Sequence, residues 1–181
     1  KKQKLLETAI KLFVQQGFEN TPTIQITKVS AVASGTLFYH YKTKEDLINA
    51  AYMHIKKDLV KEMDRYYNEQ DDFKTKLKKF WIGYTKWALE KREYNLFITI
   101  FLKSKYISDE SRKEAESMLK RYHISYLKEM EKNTLKDLSY ELFGNILFSL
   151  HQVFINDYAQ SESVDDIDIE GVMNQLSQTL T

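Results

Sequence analysis

Residues 23–48 read TIQITKVSAVASGTLFYHYKTKEDLI. Ile26 and Val29, three apart, give a short helix its buried side, and Thr21 followed by Pro22 marks its start. Threonine can cap free amides, and proline fits a first helical position where no N–H is needed. The pattern breaks over 31–34 and resumes over 35–41, where Leu37 and Tyr41 stand four apart on one face. Thr43, with Glu45 and Asp46 in the following turn, opens a longer helix over 44–67. Its apolar stripe is Leu47, Ile48, Ala51, Ile55, Leu59 and Met63. Upstream, Leu6, Ala9, Ile10 and Phe13 recur at helical spacing with Lys4, Glu7 and Lys11 off that face, which predicts a helix over 2–16 stopped by Gly17.

Three short helices followed by a long one outline a helix-turn-helix, in which the second helix of the pair enters a major groove while the first crosses the backbone. The ordered residues Phe13, Gly17, Phe18, Thr21, Ile26, Gly35, Thr36, Leu37, Tyr41, Lys44 and Leu47 make the segment specific. It resembles the N-terminal signature of the TetR family of bacterial transcription regulators. The resemblance implies an all-α protein. Residues 1–46 would form a three-helix DNA-binding domain and 47–181 a helical ligand-binding and dimerisation domain, joined by the helix over 44–67. It implies double-stranded operator DNA as partner and a repressor released by a small-molecule effector. By position, Leu37 and Tyr41 face the core, whereas Ser34, Gly35, Thr36, Phe38, Tyr39 and His40 face the groove. Lys44 matches the family's phosphate-contacting lysine, and Thr23 and Gln25 reach the DNA backbone or a base edge. Three positions depart from the pattern. Ala31 stands where a turn glycine is usual and would be strained at positive φ. Ala33 replaces a capping serine, leaving Ser34 to take over the cap. Phe38 replaces a tyrosine and can touch a thymine methyl but cannot hydrogen-bond a phosphate.

The rest of the composition narrows the alternatives. Of 181 residues, 27 are Lys or Arg and 26 Asp or Glu, so any positive patch must be local. One proline and five glycines leave too few breakers for the many short strands of an all-β fold. With no cysteine, disulfides and thiolate metal sites are excluded, which fits a cytoplasmic protein. Charges interrupt the opening KKQKLLETAIKLF, so no signal peptide is expected, and no apolar run is long enough to span a membrane. HExxH, di-iron Glu-x-x-His, glycine-rich phosphate-loop and G-x-S-x-G motifs are all missing, so neither enzymatic activity, a cofactor nor a metal is expected.

Further helices are predicted over 73–91, 93–103, 109–131, 135–160 and 168–180, with the polar stretch 68–72 as a hinge. The segment ELFGNILFSLHQVFI, residues 141–155, is apolar around most of its circumference and needs cover on more than one side. Pairing it with the last helix, whose stripe is Ile169, Val172, Met173, Leu176 and Leu180, across a two-fold axis predicts a homodimer. Aromatic residues recur at helical intervals from Phe80 to Phe101. Trp81, Tyr84, Trp87, Phe97, Phe101, Phe148 and His151 are candidates to line an effector cavity, with His151, Asn145 or Gln152 receiving a polar handle. Plain core packing accounts for the same pattern. His40, His54 and His123 read as surface histidines, and Lys74, Lys76, Lys78 and Lys79 as a solvated face. The alternative from another class is a helical small-molecule-binding or scaffold protein that does not read DNA.

Overall fold

Gly17 at φ 80 ends α1 (Lys2–Gln16), and Ala31 at φ 51 ends α2 (Thr23–Ser30). Tyr41, in extended backbone, ends α3 (Ser34–His40). There follow α4 (Lys44–Asp64), α5 (Phe73–Glu90), α6 (Arg92–Leu102), α7 (Asp109–Met118), α8 (Lys120–Glu131) and α9 (Tyr140–Tyr158). This computed structural model describes residues 1–132, 139–158 and 171, and among them every regular element is a helix. The expected all-α class is therefore observed.

Short polar side chains set the starts of the longer helices. The Thr43 hydroxyl accepts from the Asp46 amide at 3.0 Å while the Asp46 carboxylate accepts from the Thr43 amide at 2.9 Å, a reciprocal cap on α4. Asp72 accepts from the Thr75 amide (2.7 Å), Ser108 from the Ser111 amide (3.1 Å) and Ser139 from the Leu142 amide (3.1 Å), which opens α5, α7 and α9. Each satisfies an amide that a helix start leaves free. The single helix expected over 109–131 is two, because Leu119 leaves helical geometry at φ −94, ψ 7. No glycine or proline marks that break, so apolar periodicity runs through it. Helix α4 stops at Asp64, short of the expected residue 67. The expected helix over 168–180 and the linker 161–166 lie outside the described residues.

Packing divides the chain into two units. The first comprises Lys1–Asp58 and Lys91–Ser117, the second Leu59–Glu90 and Met118–Thr181. Neither the expected division after residue 46 nor the proposed hinge at 68–72 coincides with this grouping, and 68–72 lies inside the second unit. In the first unit α1 packs on α2, α3 and α6. Its core joins Phe13 and Phe18 to Phe97, with centroids 6.3 and 5.4 Å away, and Tyr52 stacks on Phe101 at 4.4 Å. Asn49 ties α4 to the loop after α6, donating to the Tyr106 carbonyl (2.7 Å) and accepting from the Ser108 amide (3.1 Å). In the second unit α5 packs on α8 and α9, and α8 on α9. Gly83 permits a close approach there, since a Cβ would lie 2.8 Å from the Tyr66 ring and 3.4 Å from Met63 Cα.

Candidate functional site

The reading head is built around the turn between α2 and α3. Ile26, Thr27 and Ser30 form the buried side of α2. Val29, expected there, is 59% exposed. Thr27 and Ser30 take the buried positions instead: the Thr27 hydroxyl lies 3.4 Å from the Ser34 hydroxyl of α3, and the Ser30 hydroxyl donates to the Thr27 carbonyl at 3.2 Å. Thr21 does not cap α2 as expected. It is buried, and its hydroxyl donates back to the Gly17 carbonyl at 2.8 Å, fastening the end of α1. Pro22 occupies the cap position of α2.

At Ala31 the chain turns through left-handed backbone, φ 51 and ψ 39. The Ala31 amide donates to the Lys28 carbonyl and the Val32 amide to the Thr27 carbonyl, both at 3.1 Å, a Schellman arrangement that satisfies the last carbonyls of α2. The strain expected of an alanine at this place is therefore present. Ala33 offers α3 no side-chain cap, and Ser34 does not take over, since its hydroxyl faces Thr27 instead.

Leu37 and Tyr41 anchor α3 inward as expected, both buried. The Tyr41 hydroxyl has no hydrogen-bond partner, and burial pushes its pKa up. On the outer face Tyr39 is 76% and Phe38 46% exposed, with Gly35 and His40 exposed beside them and Thr36 half-buried. Nothing lies within 4 Å of where a Gly35 Cβ would stand, so no contact within the protein requires that glycine. Thr23 and Gln25 are half-buried in the first turn of α2. Lys44, at the start of α4, donates to the Glu19 carbonyl at 3.3 Å. The nine expected DNA-facing residues thus gather around α3 and the two helix starts, with Ser34 turned partly inward.

Behind the head stands a polar node that the sequence did not reveal. The Tyr94 hydroxyl donates to the Glu7 carboxylate at 2.8 Å, and His54 Nε2 lies 3.3 Å from that carboxylate and 3.2 Å from the phenol oxygen. Burial first, then the Glu7 carboxylate, raise the Tyr94 pKa. His54 is half-buried, contrary to its surface assignment. Glu7 and Tyr94 are 87 positions apart, so no spacing rule could have paired them.

The effector candidates separate into two groups. Phe97 and Phe101 belong to the first unit, where they complete the core beneath Phe13 and Phe18, and are not brought together with the others. Trp81, Tyr84, Trp87, Phe148 and His151 do gather in the second unit. His151 stacks on Trp81 (3.6 Å, 25°) and lies 4.7 Å from Tyr84, which is 5.9 Å from Trp87 and 6.4 Å from Phe148. The His151 ring nitrogens face the Leu147 carbonyl at 3.0 Å and the Trp81 carbonyl at 3.4 Å. Burial pushes its pKa down to about 4. Gln152 donates to the Tyr84 hydroxyl at 3.3 Å, whereas Asn145 is exposed. Two buried polar atoms here, Trp81 Nε1 and Thr85 Oγ1, have no partner.

Among the described residues no helix is long and apolar enough to cross a membrane, and no group of acidic, histidine or cysteine side chains could hold a metal ion. Residues 5–51 match the model of the bacterial regulatory proteins of the tetR family, a span that runs from α1 into α4 and includes the whole reading head. Over 132 residues the chain is 30% identical to the HTH-type transcriptional regulator QacR of Staphylococcus aureus, covering 69% of this chain and 68% of that one. A TetR family transcription regulator from Marinobacter aquaeolei has the same fold, with TM-score 0.84 and 19% identity over 96% of this chain and 91% of that one. A second, from Shewanella, gives TM-score 0.82 and 23% identity over 97% and 94% of the two chains. The chain therefore belongs to the tetR family of bacterial regulatory proteins and is a helix-turn-helix, DNA-binding transcriptional regulator.

Proposed function

We propose that the protein is a repressor that binds operator DNA as a homodimer and leaves it when an apolar or aromatic effector enters its second unit. The outer face of α3 carries this reading. There Phe38 and Tyr39 are held in water by the inward anchors Leu37 and Tyr41, beside an open space over Gly35. Solvent-exposed aromatics on a short helix fixed by its opposite face suit insertion into a major groove. In this assignment residues 1–46 read DNA in the cytoplasm and 47–181 bind effector and partner. Thr36, Tyr39 and His40 meet base edges, Phe38 a thymine methyl, Lys44 a phosphate, and Thr23 and Gln25 the backbone or a base edge.

The partner surface is α9. Leu142, Ile146, Leu150 and Val153 are exposed and recur at intervals of four and three along one face, whereas Phe154 points into the unit. An isologous pairing of such stripes is what a two-fold dimer requires. Leu150→Glu is expected to give monomers in sedimentation velocity, and an unchanged dimer would refute the assignment.

Gel-shift titration against the upstream region of the protein's own coding sequence tests the DNA reading. Lys44→Ala should weaken binding to all sequences alike and reduce the salt slope by about one unit. Substituting Thr36 or Tyr39 should change which bases are preferred. The reverse pattern would overturn this docking. For the effector, a tenfold loss of operator affinity requires discrimination between the two protein states of about 1.4 kcal/mol.

A further inference from the structure

Two of the three unpartnered buried polar atoms in the described residues belong to side chains whose residues are one helical turn apart on α5, among the rings of the second unit. Trp81 Nε1 and Thr85 Oγ1 are closed off from water, and neither has a hydrogen-bond partner. At spacing i, i+4 they share a face of the helix. A buried donor without a partner forfeits the bond it makes to water in the unfolded chain, so native proteins keep few of them. Where one survives in a binding protein, a ligand that supplies the acceptor recovers what folding left unsatisfied. The surroundings specify that ligand further. Around Trp81 stand His151, stacked at 3.6 Å, and Phe154 at 6.2 Å, while Tyr84 and Phe148 extend the apolar wall. No formal charge is among these neighbours.

We propose that Trp81 and Thr85 form the polar end of the effector site and that the effector is an apolar molecule bearing a neutral hydrogen-bond acceptor, such as an ester, ketone or amide carbonyl. This rests on the effector reading above and narrows it to a ligand class. An indole N–H only donates, and a threonine hydroxyl can donate, so together they suit the two lone pairs of one carbonyl oxygen. A carboxylate here would be desolvated among the uncharged rings of Trp81, Phe148 and Phe154, which is costly. A cation would meet a donor N–H, and His151 already covers one face of the Trp81 ring, leaving less π surface for it.

The full-length protein is titrated calorimetrically with four probes sharing one body: butylbenzene, methyl 4-butylbenzoate, 4-butylbenzoate and 4-butylbenzyltrimethylammonium. The methyl ester should bind about tenfold tighter than the hydrocarbon, the gain of one or two well-made hydrogen bonds, and tighter than either ion. In Thr85→Val and in Trp81→Phe that ester-over-hydrocarbon preference should collapse toward unity, while the unliganded Tm of Thr85→Val rises because a buried hydroxyl without a partner is gone. A tighter ion, an ester preference that survives both substitutions, or no binding by any probe overturns the proposal. Operator affinity measured with each bound probe separates the two levels. An ester that binds through Trp81 and Thr85 yet leaves operator affinity unchanged refutes the effector reading alone. An ion that binds tighter and releases operator refutes only the ligand class.

Discussion

Replacing Ala31 by glycine should stabilise the protein, although it removes a methyl group and adds freedom to the unfolded chain. Ala31 holds φ 51 and ψ 39, where an L-residue's Cβ crowds the following carbonyl at a cost of about 1–2 kcal/mol. Glycine escapes that crowding but costs about 0.4–1 kcal/mol in unfolded-state entropy. Ala31 is exposed, so no packing is lost, and the two capping bonds at 3.1 Å involve only backbone. The balance favours glycine by about 0.5–1 kcal/mol, or a Tm rise of about 1–4 °C for a chain of this size. A graded series isolates the cause. Asparagine tolerates left-handed backbone better than alanine, and β-branched valine tolerates it least, so melting temperatures should fall in the order Gly, Asn, Ala, Val. Operator affinity should stay within twofold for the glycine variant, because the turn keeps its geometry. A glycine variant that melts below the parent, or a valine variant that melts with it, would refute strain at this turn.

Ala33→Ser supplies the cap that α3 lacks and should add about 1 kcal/mol in urea unfolding, provided the serine reaches a free amide of the first turn. Gly83→Ala improves helix propensity by about 1 kcal/mol but places a Cβ 2.8 Å from the Tyr66 ring, with Met63 Cα at 3.4 Å limiting retreat. Overpacking of about 1–3 kcal/mol should prevail, and a higher Tm in the variant would show that the ring swings aside freely. His151 is held neutral in the fold, its pKa pushed down from 6.5 to about 4 chiefly by burial, whereas the unfolded chain takes up that proton near 6.5. Its contribution is complete above pH 6.5 and lost as pH falls toward 4, by about 2 kcal/mol between pH 7.5 and 5. His151→Gln should flatten that part of the pH dependence in urea unfolding. An NMR titration giving His151 a pKa above 6.5 would show instead that both ring nitrogens donate to the Leu147 and Trp81 carbonyls.

What was legible in the sequence was local. The bounds of α1, the anchors Leu37 and Tyr41 and the capped start of α4 all follow from periodicity and from side chains within four residues of one another. Where the structure departs from the periodicity, the deciding partner is a backbone carbonyl of the preceding helix, a residue of a neighbouring helix or a ring far along the chain, and apolar spacing encodes none of these. Val29 is exposed while Thr27, whose hydroxyl meets Ser34 of α3, and Ser30 are buried, and Thr21 turns back to Gly17. Phe97 and Phe101 were grouped with Trp81 by helical recurrence, although they pack on Phe13 and Phe18 some 80 positions earlier. The orphaned Thr85 hydroxyl left no trace in the pattern, since an unmade bond has no sequence signature.

That grouping of Phe97 and Phe101 bears on what a reading head is in this protein. Residues 1–46 include Phe13 and Phe18 but not the rings that cover them, so the head acquires a closed core only with residues 91–117. The first unit is therefore assembled from two separated stretches of chain, and the residues that end one and begin the other, Asp58 and Lys91, are clasped at 2.6 Å. Between them lies α5, which carries Trp81, Tyr84 and Thr85. On the effector function proposed above, the segment that meets the ligand is tethered to the head at both of its ends, once through the uninterrupted helix α4 and once through the start of α6. Along the chain, α5 is thus joined to the first unit on both sides. The Glu7–Tyr94–His54 node joins α1, α4 and α6 and lies close in sequence to both links, with His54 four residues before Asp58 and Tyr94 three after Lys91. Hydrogen bonds of fixed direction at that position tie α1 to α4 and α6 at once, a constraint that a purely apolar contact able to slide would not impose.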